Sequence, residues 1–258
     1  MKIRFATTLI ASCVLLAGTA GRSDAAAVTW GAATNISGDS DVTTNGGTLV
    51  AAFNVGGSGV PQKTVNGVTF APFEVSGATT TVGNFKLTVI GSASSTTNLG
   101  SAVPPFSNLG SDYKSLLNSG VVGNQGEFIL NISGLTAGRT YTFEWWSNDS
   151  SLADFRRYTT NSVGLDSLGV PTGNSVGLND NTTNVAGGLG QFAIGTFVAD
   201  GNGSQGIMFS GAVSFPVVNA FQLRQTPVVP VPAAAWTGLT TLAGLAGMSL
   251  IRRRARRD

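Results

Sequence analysis

Three carboxylates, Glu144, Asp149 and Asp154, gather around the Trp145-Trp146 pair. Acids beside aromatic rings are how glycosidases are built, one carboxyl protonating the leaving oxygen while the other serves as base or nucleophile. The chain contains no histidine. That excludes Ser-His-Asp triads, His general bases and His-ligated zinc, and leaves carboxylates, Lys or Tyr for any catalysis. Asp149, however, lies in SNDSS and Asp154 in a short loop, where Asp side chains ordinarily cap turns. Turn chemistry is therefore the expected use of both.

Strand parity sharpens a binding alternative on the same segment. In RTYTFEWWSN, alternation that sends Tyr141, Phe143 and Trp145 inward sends Glu144 and Trp146 outward, and Phe155 inward likewise leaves Arg156 and Tyr158 outward. Exposed together, Glu144, Trp146, Arg156 and Tyr158 would stack a sugar ring and bond its hydroxyls. The competing reading puts Trp146 in the second face of a two-layer core.

Other motifs weaken on inspection. Gly201 to Gly206 spells G-x-G-x-x-G, but Ile207-Met208-Phe209 follows as a strand-like run where a pyrophosphate would need a helix N-terminus, so a hairpin turn is expected. Ser111-Asp112-Tyr113-Lys114 matches the S-x-x-K of acylating serine enzymes, yet their S-D-N and K-T-G partners are missing from the chain. Asp39-Ser40-Asp41 and Asn179-Asp180-Asn181 offer the hard oxygens calcium prefers without the spacing of an EF-hand loop. No cofactor is expected, a structural calcium at these turns being the alternative.

The elements that would position these groups are strands. TLVAAFNV, KTVNGVTFAPF, FKLTVIG, GEFILNISG, RTYTFEWWSN, FRRYTTNSV, GQFAIGTFVAD, QGIMFSG and VNAFQLRQ each alternate apolar or β-branched residues and end in turn formers. Nine or ten strands predict an all-β sandwich. One short helix is predicted over SDYKSLLNSG, with Tyr113, Leu116 and Leu117 on one face, Ser111 to cap and Gly120 to stop it. NSVGLD at Asn161 and NSVGLND at Asn174 read as the two edges of one hairpin.

Charge separates body from tails. Between Val28 and Pro232 there are seven basic and eleven acidic residues, and the excess arginines lie at the ends. Nucleic acid is not an expected partner, because phosphate binding needs a clustered basic face. Residues 1–27 read as an export signal: Lys2 and Arg4, an apolar run, then Ala25-Ala26-Ala27. The signal implies the Sec translocon and signal peptidase as partners. Ile10-Ala11-Ser12-Cys13 resembles a lipobox, but a cut there would leave Val14-Leu15-Leu16 outside the signal. Cys13 is the single cysteine, so a body over 28–226 has no disulfide.

The last segment, 227–258, holds Val229-Pro230-Val231-Pro232-Ala233, then nineteen uncharged residues from Ala233 to Ile251, then Arg252, Arg253, Arg254, Arg256 and Arg257. At ~1.5 Å per residue the uncharged run just spans a bilayer core of about 30 Å, and the arginines would stay cytoplasmic. This order resembles the PEP-CTERM sorting signal in its VPLPA form, with Val231 where that family usually carries Leu. The resemblance implies an exosortase, a membrane transpeptidase-like enzyme, cutting near the Pro motif in a bacterium that makes exopolysaccharide. The protein would then be held only transiently at the inner membrane before reaching the cell surface or the extracellular space. A permanent single-pass anchor is the alternative. The stretches Trp30-Gly31 with ISGDSDV, TVNGVTF, GLTAGRTYTFEWWSND, GQFAIGTFVAD and VNAFQLR also resemble the globular part of such secreted proteins, implying a jelly-roll sandwich like carbohydrate-binding or galactose-binding domains. The reading is of an exported, non-catalytic surface or matrix protein in contact with polysaccharide, its rival a secreted carbohydrate-active enzyme using carboxylates.

Overall fold

The computed structural model describes residues 27–151, 159–211 and 215–227. The expected signal segment and the 227–258 sorting segment, apart from residue 227 and Ala27, lie outside these residues, as do Asp154, Arg156 and Tyr158.

Strands dominate. In chain order they are β1 (Thr29–Trp30), β2 (Thr34–Asn35), β3 (Thr48–Gly56), β4 (Lys63–Val65), β5 (Val68–Glu74), β6 (Thr79–Val82), β7 (Phe85–Thr96), β8 (Gly120–Ile132), β9 (Thr140–Ser147), β10 (Thr159–Leu165), β11 (Pro171–Asn179), β12 (Gln191–Val198), β13 (Gln205–Gly211), β14 (Val217–Val218) and β15 (Ala220–Gln225). One sheet runs β1-β12-β9-β15-β3-β5-β4 with β2 also on β12; the other runs β11-β10-β13-β8-β7-β6 with β14 on β8. The all-β, sandwich-like expectation is met. The closing strand β15 lies beside β3, the first long strand, and antiparallel to it.

Local chemistry explains the connections. Asn66 and Gly67 both have positive φ, 47° and 76°, which suits the tight β4–β5 hairpin. The NSVGL echo forms one hairpin, β10 with β11. The GNGSQG turn differs from expectation. Asp200 caps it by accepting from the Asn202 and Ser204 N–H groups at 2.9 and 2.7 Å, but the strands it joins, β12 and β13, belong to different sheets. It is an arch between layers, because both flanking strands bury apolar residues in the same inter-sheet core. The sandwich is also stitched along one side. Val28 bridges Gly173 of β11, and Asn174 exchanges two hydrogen bonds with the Trp30 backbone at 2.8 and 2.9 Å. Gly173 has φ 81°, and a Cβ there would lie 2.4 Å from the Val28 carbonyl oxygen, so the seam requires glycine.

Between the sheets lies an inner core rich in aromatic rings, among them Trp30, Phe53, Phe143, Trp145, Phe209 and Phe221. Phe53 packs on Phe85 at 5.0 Å and Trp145 on Phe209 at 4.9 Å, both edge to face. A second core covers the far side of the first sheet. The helix α1 (Ser111–Asn118) lays Tyr113, Leu116 and Leu117 there, against Ile36, Val42, Phe70, Phe106, Trp146 and Phe192. The predicted helix is thus present, although Gly110, not Ser111, is its N-cap, and Ser119 its C-cap.

Candidate functional site

Parity along β9 holds: Trp145 belongs to the inner core and Trp146 to the outer. The expected exposure does not. Trp146 is 0% and Glu144 1% exposed, so neither can form an open sugar platform. The reason is packing: the apolar face of α1 and the 36–47 segment must be buried somewhere, and the outer face of β9, β15 and β3 receives them, with Trp146, Ala220 and Ala52 as its apolar part and Glu144, Gln222 and Arg224 as its polar part. Arg156 and Tyr158 lie outside the described residues.

Trp146 is tied to the surface by a relay. Its Nε1–H donates to the Tyr113 hydroxyl at 3.0 Å, and that hydroxyl donates to the Asp41 carboxylate at 3.1 Å. Asp41 in turn accepts from the Ser37 and Gly38 N–H groups at 2.6 and 3.0 Å. Burial, then the neighbouring Asp41 charge, pushes the Tyr113 phenol well above its ordinary value.

Glu144 is the centre of a second network. Its carboxyl accepts from the Thr43 N–H at 3.1 Å and the Thr43 hydroxyl at 3.2 Å, and from Gln222 Nε2. Gln222 stands opposite Glu144 in the β9–β15 register and also donates to the Thr43 carbonyl at 3.0 Å. Arg224 donates to Gln222 Oε1 at 3.3 Å and to the Thr44 and Gly47 carbonyls at 3.1 Å each. Burial pushes the Glu144 carboxyl up to about 7; the bonds from Gln222 and Thr43, and the charge of Arg224, oppose the rise. Burial pulls Arg224 down, which Glu144 opposes.

Several of the remaining acids serve turns, while Asp112 pairs with Lys63 at 3.6 Å. Asp149, raised by burial, accepts from the Ser151 N–H at 3.0 Å. Asp166 accepts from the Leu168 and Val170 N–H groups at 2.8 Å each. Asp39-Ser40-Asp41 forms a short 3-10 turn, and the Asn181 side chain accepts from the N–H groups of Thr183 and Asn184. Among the described residues no group of three or more His, Cys, Asp or Glu is placed to hold a metal ion. Lys114 of the S-x-x-K stretch donates to the Ser107 carbonyl at 3.0 Å.

Two features escaped the sequence reading. Asn148 and Asn219, both 0% exposed, satisfy buried loop backbone: Asn219 Nδ2 donates to the Leu117, Ser119 and Asn148 carbonyls, and Asn148 Oδ1 accepts from the Gly190 N–H. Asn embedded in SND and VVNA carries no signal of such a role. The other is a groove of about 290 Å³ between the sheets, lined by Val75, Val89 and Val121 with Ser92, Ala93 and Ser95 of β7. Its sequence mark is the GSAS run at 91–94, where large apolar residues cease to alternate.

No family model matches the chain, and no curated protein matches it. Among solved structures, it is similar to the enzymatically active domain of tailspike protein 4 of bacteriophage CBA120, at 15% identity and TM-score 0.27, over 56% of this chain and 19% of that one. It is also similar to the ANX2 ectodomain of Arabidopsis thaliana, at 11% identity and TM-score 0.33, over 70% of this chain and 50% of that one. The chain thus spans half or less of the structures it resembles.

Proposed function

We propose that the protein is an exported, non-catalytic surface or matrix component, delivered by an N-terminal signal and released from the inner membrane by an exosortase acting near Pro230 and Pro232. The observation that carries this reading is the order of the C-terminal segment: Val229-Pro230-Val231-Pro232-Ala233, an uncharged run to Ile251, then the arginine cluster. The body between is a jelly-roll-like scaffold of the carbohydrate-binding kind.

The use of its acids supports the non-catalytic half. Asp41, Glu144, Asp149, Asp166 and Asp200 each accept main-chain N–H groups, and Glu144, the carboxyl best tuned for acid-base work, is sealed beneath the 43–47 segment. A glycosidase needs two carboxyls flanking an accessible linkage. Contact with exopolysaccharide falls on surfaces other than Trp146, the groove at Val75 and Ser95 and the hollow at Ser101, Lys114 and Asn118 being two concave ones among the described residues.

Replacing Pro230 and Pro232 together by Ala, followed by fractionation of the native host, tests the reading. The variant is expected in the inner membrane at uncut size; its arrival at the surface at the size of the unaltered protein would contradict the proposal. Glycan-array binding that survives Trp146→Phe is expected of any polysaccharide contact.

A further inference from the structure

We propose that the end of the sandwich from which the chain leaves for its C-terminal segment docks on the membrane lipid surface, with Leu168 and Val170 as the inserted side chains. The proposal rests on the reading that the uncharged run 233–251 spans the inner membrane.

The register of the two sheets gathers several loops at that end. β15 finishes there, with Gln225 opposite Thr48 of β3 and Tyr141 of β9, and the Thr226 N–H donates to the Thr140 carbonyl at 2.9 Å. Val198 closes β12 opposite the same Thr140. In the other sheet Gln205 of β13 faces Ile132 of β8, and Gly206 faces Leu165 of β10. The Leu135 N–H, just after β8, donates to the Gly203 carbonyl, just before β13, at 2.9 Å. Both sheets therefore end together. The β10–β11 hairpin closes with the pair Leu165 and Pro171, so residues 166–170 form a tip at this end.

Exposed apolar side chains concentrate here. Among the described residues eight large ones are exposed, and five of them, Leu49, Val50, Leu168, Val170 and Val198, lie at this end. Leu168 is 86% and Val170 53% exposed. Scattered exposed apolar residues are ordinary, but a concentration of them marks an interaction surface. The tip is also held in shape. Asp166 Oδ1 accepts from the Leu168 and Val170 N–H groups at 2.8 Å each, the Asp166 N–H donates to the Val170 carbonyl at 2.9 Å, and Gly169, with φ 81°, donates to the Asp166 carbonyl at 3.0 Å. The one acid of the tip is thus occupied by main chain, while Lys86 and Arg139 stand at the same end as charges that an anionic bilayer attracts.

The length of the chain beyond β15 selects lipid as the occupant. Ala233 opens the uncharged run six residues after Pro227, and at about 3.5 Å per residue that link keeps Pro227 within roughly 20 Å of the bilayer while the chain is uncut. An apolar tip at this end then meets the lipid interface, where such side chains gain by burial. Docking would hold the Val229–Ala233 motif at the membrane surface, within reach of a membrane-bound processing enzyme.

Fluorescence quenching on the full chain, reconstituted into vesicles of phosphatidylethanolamine and phosphatidylglycerol, tests this. Cys13→Ser makes each introduced thiol unique, and an environment-sensitive dye is placed in turn at Ser167→Cys in the tip, at Val185→Cys in the loop before β12 at the opposite end, and at Ala243→Cys within the uncharged run. The dyes at 167 and 243 are expected to shift to the blue and to lose fluorescence to a nitroxide carried on the acyl chains, and the dye at 185 to lose it only to aqueous iodide. Adding Leu168→Asp and Val170→Asp should return the dye at 167 to iodide while leaving 243 in lipid. With 243 in lipid, a dye at 167 open to iodide, shielded from both quenchers as in an interface between copies, or unmoved by the two aspartates would overturn the docking alone. A dye at 243 open to iodide would refute the spanning reading and the docking with it.

Discussion

Trp145 and Trp146 are neighbours in β9, both fully buried, yet they sit in cores of different character. Around Trp145 the inter-sheet core is almost wholly apolar, and its Nε1–H has no hydrogen-bond partner among the described residues. Around Trp146 the core is apolar but threaded with polar links, and its Nε1–H donates to Tyr113. The difference teaches how the sheet is finished on its two sides. The inner face meets another sheet, whose backbone satisfies itself. The outer face meets loops and a short helix, whose backbone groups need side-chain partners such as Glu144, Gln222, Arg224 and Asn66.

The largest expected effect follows from burial alone. Trp145→Ala and Trp146→Ala should each cost roughly 3–5 kcal/mol in denaturant unfolding, enough to unfold a marginal domain. A mild effect of Trp146→Ala beside a severe one of Trp145→Ala would break the picture of two equal cores and restore an exposed Trp146.

Next comes Glu144. Burial raises its folded value from 4.5 to about 7, so the folded state keeps a proton that the unfolded chain gives up. Its contribution to stability is full below about 4.5 and is lost as pH rises through 7. Chemical unfolding between pH 4.5 and 8 should show a decline of up to about 3 kcal/mol from this group. Glu144→Gln should remove that decline; an unchanged profile would assign it elsewhere. The inner core, lacking such a group, offers no counterpart.

Tyr113→Phe sharpens the contrast between the two indoles. It leaves the Trp146 N–H without an acceptor in a buried site, and should cost about 1–3 kcal/mol. A cost near zero by thermal unfolding would mean that the outer core tolerates an orphaned donor as the inner core does at Trp145.

Much of this arrangement could be read beforehand, though unevenly. Alternation in RTYTFEWWSN placed the two tryptophans on opposite faces, and SDYKSLLNSG announced a helix with Tyr113, Leu116 and Leu117 on one side. Both follow from backbone periodicity, which is local. What the alternation could not show was that the two signals answer each other: the helix's apolar face is the cover on Trp146, brought there by contacts 33 residues apart such as Trp146 to Tyr113. Glu144 read as an exposed acid for the same reason, since its partners Thr43 and Gln222 lie 101 and 78 residues away. Likewise GNGSQG displayed the residues of a turn but not the layers it would connect.

The large aromatic surfaces of both cores are turned against other parts of the chain, and the function proposed above rests on the order of residues 229–257. Intact mass measurement of the mature protein from the surface fraction of its native host tests that most directly. Cleavage by an exosortase predicts a mass lacking everything beyond the neighbourhood of Pro232; a surface form still carrying Arg253 and Arg254 would contradict it and reduce the segment to a permanent anchor.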